Sequence, residues 1–429
     1  MTCALILAAV FSRSLPVAET PPMGWNSYDC FSYGVTEQQV KQNADFMAKR
    51  LKRFGWEYVV VDYVWSAPKL SPGFAPDQSP TFQPSLAMDA YGRLQPDLER
   101  FPSSATRTGF KLLADYCHNK GLKFGIHLMR GIPRQAVSLK TLVLGTGWNA
   151  EDAADQNSMC PWLNHMFGLN MAKPAGQAYL NSLFKQYAEW GVDFVKVDDL
   201  SRPYSKAEIE GYRVAIQRSN RPIVLSLSPG PTQVTEGAHV SLFANMWRLV
   251  DDLWDNWPEL NRAIDVVAKW SAFRKPGHWP DIDMLPLGKL REFGPNTGPS
   301  NTQSRFTPDE ARTLMTLMCI NQNPLMFGGN LPETDAATLK LITNPDVLAV
   351  DQTGVGGHLD NETAGVGEWQ AGAGKDGIFV AYINRNNAPA TVTPPRARHI
   401  HDLWEHHDRK PDEKIDLPAH GSVLLRIEV

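Results

Sequence analysis

Hydrophobic and polar positions repeat along this chain in one unit: an amphipathic helix, a glycine, an apolar strand, then a polar group. The unit is plainest from Thr36. Thr36-Glu-Gln-Gln39 reads as a capping box, in which the first and fourth residues satisfy each other's backbone N–H groups. Behind it, Val40, Ala44, Met47, Leu51 and Phe54 keep the spacing of one buried helix face. Gly55 predicts the stop, since glycine turns left-handed without a Cβ clash. A strand, Tyr58 to Asp62, follows. The unit returns at Lys120-Gly121 before Leu122 to His127, and at Trp190-Gly191 before Val192 to Asp198. Further strands are predicted at 222–228, around 243–250, at 278–285 and at 323–329. With a first strand near Met23 to Asn26 the count is eight, the number that closes a parallel barrel.

After about residue 345 the pattern changes. Short alternating runs, Gly377 to Ile383, Ala390 to Thr393 and Ser422 to Ile427, are separated by turn residues such as Asn384 to Asn387 and Pro394-Pro395. This predicts a small antiparallel β domain. No long Ser/Gly linker precedes it, so it should pack directly on the barrel. The expected architecture is α/β: a catalytic (β/α)8 TIM barrel over 19–344, followed by an antiparallel β-sandwich domain over 345–429. Residues 1–18, with an apolar run from Ala4 to Phe11 and a small residue at Ala18, resemble a signal segment without the positively charged start. They predict a secreted or periplasmic protein; the plainer alternative is an apolar stretch packing on the domain. No later run approaches 18 uninterrupted apolar residues, so no membrane span is expected.

Composition narrows the function classes. Forty-two Lys and Arg against 46 Asp and Glu give a net charge of −4, which excludes a strongly electrostatic nucleic-acid binder. Cys3, Cys30, Cys117, Cys160 and Cys319 show no CxxC and no metal spacing. His399, His401, His406 and His407 fit no zinc pattern and read as solvated loop residues. Gly354-Val-Gly-Gly357 precedes no helix pattern and is not a nucleotide loop. Neither a metal nor a cofactor is expected. The aromatic content stands out: 13 Trp, 18 Phe and 11 Tyr.

In such barrels the polar residues at the C-terminal strand ends line the active site. Here those are Asp62, His127, Lys196, Asp198, Asp252 and Asp283. Lys196 and Asp198 are two apart and share a strand face; a cationic neighbour would keep Asp198 ionised. A structural ion pair at the barrel rim is the alternative. Trp247 to Trp257 holds three aspartates and three tryptophans, and reads either as a general acid beside sugar-stacking rings or as an acidic helix N-terminus. Gly277 to Met284 again sets carboxylates beside Trp279. Rings stack on apolar sugar faces while acids bind hydroxyls, so the combined pattern favours glycoside chemistry.

Six motifs in order then resemble glycoside hydrolase family 27, the α-galactosidase and α-N-acetylgalactosaminidase group. They are Thr20 to Tyr28, Val61-Asp62-Tyr63-Val64-Trp65, Lys196-Val-Asp198, Trp247-Arg248 through Asp252, Trp279 to Leu285, and the tail from Asn344 to Asp351 and Leu417 to Arg426. The resemblance covers about residues 20–429. It implies a retaining exo-glycosidase that releases a terminal α-D-galactose-like residue from a galactosylated oligo- or polysaccharide, without a cofactor. By the same matching, Asp198 would be the nucleophile and Asp252 the general acid and base, their carboxyls roughly 5–5.5 Å apart. Tyr28, Asp62, Trp65, His127, Lys196, Ser228, Arg248 and Asp283 would bind the sugar. Trp25, Trp65, Trp247, Trp254, Trp257 and Trp279 lie in or beside these motifs, where a sugar site would use them.

Departures from the family pattern bear on the substrate. Tyr63 stands where most galactose-specific members have a second aspartate that grips the 4- and 6-hydroxyls. His127 replaces a tyrosine. Ser228, where a galactosidase has a bulky acid, leaves room as in the N-acetylgalactosaminidases, but the flanking Pro229-Gly230-Pro231 matches neither. The disulfide implied beside the nucleophile lacks one half: Cys160 can match, whereas Asp199-Leu200 stand opposite, and Asp199 could instead add a polar group to the site. An α-N-acetylgalactosaminidase and a β-L-arabinopyranosidase therefore stay open, because arabinopyranose has galactose's ring configuration without its C6 group. A carbohydrate-binding protein on an inactive barrel would have no need of both Asp198 and Asp252. A metal-dependent hydrolase would need converging histidines, and only His127 lies at a strand end.

Overall fold

A computed structural model describes residues 17–67, 85–228, 230–293, 300–375 and 377–428. The expected signal segment lies outside them except for Val17 and Ala18. Eight parallel strands form one curled sheet: β1 Met23–Asn26, β2 Tyr58–Val61, β3 Lys123–Met129, β4 Phe194–Asp198, β5 Val224–Leu227, β6 Met246–Arg248, β7 Trp279–Asp281 and β8 Leu325–Phe327. They pair in chain order, and β1 also pairs with β8. Just past β7, a parallel bridge between Leu285 and Phe327 closes the ring, with the Leu285 N–H donating to the Met326 carbonyl at 2.8 Å. Every expected strand is present. Gly24 lets the first two strands meet, since a Cβ there would fall 2.3 Å from the Tyr58 carbonyl oxygen.

Helices cover the outside: α1 Glu37–Arg50, α2 Lys111–His118, α3 Pro174–Trp190, α4 Lys206–Ser219, α5 Gly237–Phe243, α6 Trp257–Val267, α7 Pro308–Ile320, α8 Ala336–Ile342 and α9 Pro345–Thr353. The Thr36–Gln39 capping box opens α1, whose Val40, Ala44 and Met47 are fully buried. Gly55 takes φ 95° where the following turn ends. Between β3 and α3 the chain makes a three-stranded antiparallel excursion, Ile132–Pro133, Ala154–Met159 and Met166–Leu169.

The C-terminal sheet is antiparallel, built from β9 Val355–Thr363, β10 Val366–Gly372, β11 Ile378–Asn384, β13 His399–Asp402, β14 His407–Arg409 and β16 Ser422–Glu428, in the order β9-β10-β11-β16-β13-β14. The short pair β12 Ala390–Val392 and β15 Ile415–Leu417 makes a second layer. Strand alternation explains how it docks. Val380 and Tyr382 on β11, with Val423, Leu425 and Ile427 on β16, pack against Ile415 and Leu417 of β15. The alternate residues Phe379, Ala381, Ile383 and Leu424 join the barrel's core instead. The domain thus sits directly on α7, where the Thr316 hydroxyl accepts from the Trp404 indole at 2.9 Å and meets the Ser422 hydroxyl at 3.0 Å. His399 and His401 both pair with Asp408, at 3.0 and 2.7 Å, and His406 with Asp346 at 2.8 Å. Gly354 follows α9 and leads into β9, not into a helix. Among the described residues no helix is long and apolar enough to cross a membrane.

Candidate active site

The C-terminal strand ends surround a cavity of about 410 Å³. Tyr28, Asp62, Lys196, Asp198, Ser228, Arg248, Asp252 and Asp283 all line it, from six different strands and their following loops. Its floor is ionic. The Lys196 ammonium donates to Asp62 Oδ2 at 3.0 Å, and the Asn26 amide donates to the same oxygen at 2.7 Å. Burial alone would raise the Asp62 pKa, but Lys196, His127 and Asn26 outweigh it and hold the carboxyl at about 2. Burial likewise opposes the Lys196 charge, yet Asp62 and Asp283 keep the ammonium above its ordinary value. Lys196 therefore serves Asp62 first, not Asp198 as the strand spacing suggests.

Asp198 is held by other groups. Its Oδ1 accepts the Asp199 backbone N–H at 2.7 Å, and its Oδ2 meets His127 Nε2 at 3.1 Å. His127, expected to bind the sugar, does not line the cavity: it is buried behind Asp198, against the edge of the Tyr63 ring. Arg248 bridges the remaining acids: Nη1 reaches Asp283 at 2.6 Å and Nη2 donates to Asp252 at 3.2 Å. Burial lifts Asp283 to about 7 against the pull of Arg248. Asp283 sits at φ 95°, a backbone state unusual outside glycine, and accepts the Leu253 N–H at 2.8 Å. It thereby ties the loop carrying Asp252 to the end of β7. The two candidate catalytic acids differ in exposure: the Asp198 side chain is 10% exposed and Asp252 56%. One carboxylate lies deep in the cavity and the other at its mouth.

Burial, then the charges of Asp252 and Asp62, push the Tyr28 phenol upward, so it stays protonated and can donate to a hydroxyl. The wall beside Asp62 is aromatic. Tyr63 meets Tyr28 edge-on at 5.9 Å and stacks on Trp162 at 6.3 Å between centroids. Trp254 closes another side, its ring covered by the Arg291 guanidinium at 5.0 Å.

Several expectations need correction. Trp65 does not line the cavity. It is buried between Phe110 and Trp190, and its indole donates to the His127 carbonyl at 2.5 Å. Trp25 and Trp247 are fully buried too, Trp257 stacks on His420 at 3.8 Å, and Trp279 donates to the Ala18 carbonyl. The tryptophan excess is mainly core packing; only Trp254 of the six lines the cavity, joined by Trp162 from the excursion after β3. Asp199 adds nothing to the cavity, because its carboxylate turns away to Arg130 at 2.9 Å. Cys160 is a buried free thiol. The acidic run splits three ways: Asp252 enters the site, Asp251 pairs with Arg202 at the rim, and buried Asp255 pairs with Arg291 and Arg305. Sequence reasoning missed Asn26, Asp29 and Trp162. Asn26 lies in the first motif and Asp29 directly follows it, which was a usable signal; Trp162 stands in no motif.

A family profile described as alpha galactosidase A matches residues 20–136 and 169–353. A curated relative, alpha-galactosidase 2 of Arabidopsis thaliana, is 26% identical over 404 residues, covering 91% of this chain and 84% of that protein. Two solved structures show higher identity. A β-L-arabinopyranosidase of glycoside hydrolase family 27 from Geobacillus stearothermophilus, in complex with arabinose, is 46% identical with a TM-score of 0.91, covering 96% of this chain and 98% of that one. A Bacillus halodurans protein for which α-N-acetylgalactosaminidase activity has been proposed is 39% identical with a TM-score of 0.85, covering 97% and 100%.

Proposed function

We propose the function of this chain from one premise: it belongs to glycoside hydrolase family 27, the alpha galactosidase A family. On this reading it is a retaining exo-glycosidase whose preferred substrate is a terminal β-L-arabinopyranoside, with α-D-galactopyranosides, the first expectation from sequence, turned over more slowly. The observation that carries the preference is Tyr63. Where the family resemblance calls for a second aspartate to hold the 4- and 6-hydroxyls, a buried ring packs against Tyr28 and Trp162. The ring fills space that a hydroxymethyl group would need and offers no carboxylate to accept from its hydroxyl, whereas a pentopyranose carries no such group. The Geobacillus stearothermophilus relative, named for the same sugar, supports this reading.

In the first step Asp198 attacks the anomeric carbon while Asp252 protonates the departing oxygen. In the second, Asp252 takes a proton from water, which opens the glycosyl ester. The placement of the two acids supports these roles: the deep, doubly hydrogen-bonded Asp198 is oriented for attack, and the exposed Asp252 stands where a leaving group departs. Asp62, Lys196, Tyr28, Arg248 and Asp283 hold the ring hydroxyls. Ser228 favours a second reading, α-N-acetylgalactosaminidase, because a small side chain on β5's exit leaves room for a 2-acetamido group.

A panel of p-nitrophenyl glycosides tests this with wild type and Asp198→Asn. The expected order in kcat/KM is β-L-arabinopyranoside above α-D-galactopyranoside by about tenfold or more, the size of a one-group steric discrimination. Preference for the N-acetylgalactosaminide would establish the second reading, and undiminished turnover by Asp198→Asn would end the nucleophile assignment.

A further inference from the structure

Beneath the cavity, a buried ion cluster grips the chain at the Asp198 carbonyl and at Asp199. Arg130, at the exit of β3, donates from Nε to Asp199 at 2.9 Å, from Nη1 to Glu208 on α4 at 2.9 Å, and from Nη2 to the Ser158 hydroxyl at 2.9 Å. Its backbone N–H donates to the Asp198 carbonyl at 3.1 Å. The arginine, Asp199 and Glu208 are all buried, and none of the three lines the cavity. Asp199 takes φ 63°, the left-handed state that aspartate adopts more readily than most residues. That turn aims its N–H at Oδ1 of Asp198. Burial lifts Asp199 to about 6 and Glu208 to about 7 even with Arg130 beside them. Buried ion clusters are poor stabilisers compared with apolar packing of the same volume, so stability alone gives weak reason to keep one here.

Resting on the nucleophile role of Asp198, we propose that Asp199 and Arg130 are positioning residues, whose ion pair locks the left-handed turn and so fixes the angle at which the Asp198 carboxylate meets the anomeric carbon. Neither touches the sugar. They act through one backbone N–H and one backbone carbonyl.

The test isolates the first chemical step. An activated 2,2-difluoro-substituted β-L-arabinopyranoside with a trinitrophenolate leaving group forms the bond from Asp198 to C1 and expels the phenolate with its electron pair, needing no acid. Intact-protein mass spectrometry then follows the rate of covalent labelling. Asp199→Gly keeps the backbone turn accessible but removes the clamp, and Arg130→Lys leaves one cation that cannot hold both acids in the same fork. Both should label about 10- to 100-fold more slowly, since a misplacement of about 1 Å costs about 10²-fold. KM for the p-nitrophenyl substrate should stay within about threefold of wild type, because no sugar contact is lost. Asp199→Asn, which can still accept from Arg130 Nε and still tolerates the turn, should restore the labelling rate to within about threefold. Labelling at the wild-type rate by either folded clamp variant would overturn the proposal. If wild type itself were never labelled at Asp198, the nucleophile reading would fall first and take this inference with it.

Discussion

Replacing Asp62 by asparagine should unfold this protein more easily, and by an amount that depends on pH. Asp62 is buried in the cavity floor with Lys196 at 3.0 Å and Asn26 at 2.7 Å. Its folded pKa of about 2, against the ordinary 3.8, corresponds to about 2 kcal/mol of stability at neutral pH. Removing the carboxylate also strands the Lys196 ammonium, and breaking a buried pair from one side costs about 3–5 kcal/mol in all. The sign follows from the lowered pKa: the contribution is complete above the unfolded value and is lost as pH falls towards 2. Equilibrium urea unfolding, read by tryptophan fluorescence, should show Asp62→Asn less stable by about 3–5 kcal/mol at pH 6. By pH 3 that gap should shrink by about 1 kcal/mol, as the unfolded wild-type chain takes up the proton that folded Asp62 still excludes. The double variant Asp62→Asn/Lys196→Met should recover part of the loss. An Asp62→Asn protein as stable as wild type at pH 6, or a gap unchanged down to pH 3, would show that the buried pair does not hold the floor in this way.

Three further outcomes can be checked. Tyr63→Asp exchanges the ring for a smaller carboxylate that a C6 hydroxyl can donate to, so the ratio of α-D-galactoside to β-L-arabinopyranoside kcat/KM should rise by about tenfold or more, with a lower melting temperature from the lost ring packing. Asp252→Asn should lower kcat/KM for alkyl glycosides by about 10²- to 10⁴-fold yet spare kcat/KM for a dinitrophenyl glycoside, whose kcat falls instead because the glycosyl ester has lost its base; equal kcat/KM losses on both would contradict its role as proton donor. Asp29 lines the cavity, is buried, and has an Oδ2 without a hydrogen-bond partner; burial, then Asp283, holds it protonated well above the usual carboxylate range. Because its folded pKa is raised, ionisation in the unfolded chain costs wild type stability as pH rises above about 4. Thermal scans should therefore show Asp29→Asn gaining on wild type from pH 4 to pH 8, and a widening deficit would count against a protonated Asp29.

Much of this was legible in the sequence because periodicity and end chemistry are local. The capping box at Thr36, the glycine stops and the eight apolar runs placed the barrel, and polar residues at the strand ends placed the cavity. The short alternating runs after residue 345 predicted an antiparallel domain packed directly on the barrel, whereas the division of β11 and β16 between a face on the second layer and a face on the barrel came only with the fold. What pattern could not show was which partner each charge takes. Lys196 and Asp198 share a strand face, yet Asp62 at the end of β2 meets the ammonium, because only the folded register brings it within 3.0 Å. Tryptophan near a motif looked like a sugar platform, whereas burial between helices and sheet claims Trp25, Trp65 and Trp247. Trp162 arrives from a long excursion with no repeat to announce it. Asp199 reads as one more acid beside Asp198 until its left-handed backbone turns the carboxylate to Arg130.

Whether two displacements or one take place is read most directly from the anomeric form of the first sugar released. Proton NMR over the earliest turnovers of an aryl β-L-arabinopyranoside should show β-L-arabinopyranose appearing first and mutarotating afterwards, the outcome of two displacements through Asp198. First release of the α anomer would mean a single displacement by water, and would contradict both Asp198 as nucleophile and Asp252 as the acid that turns base.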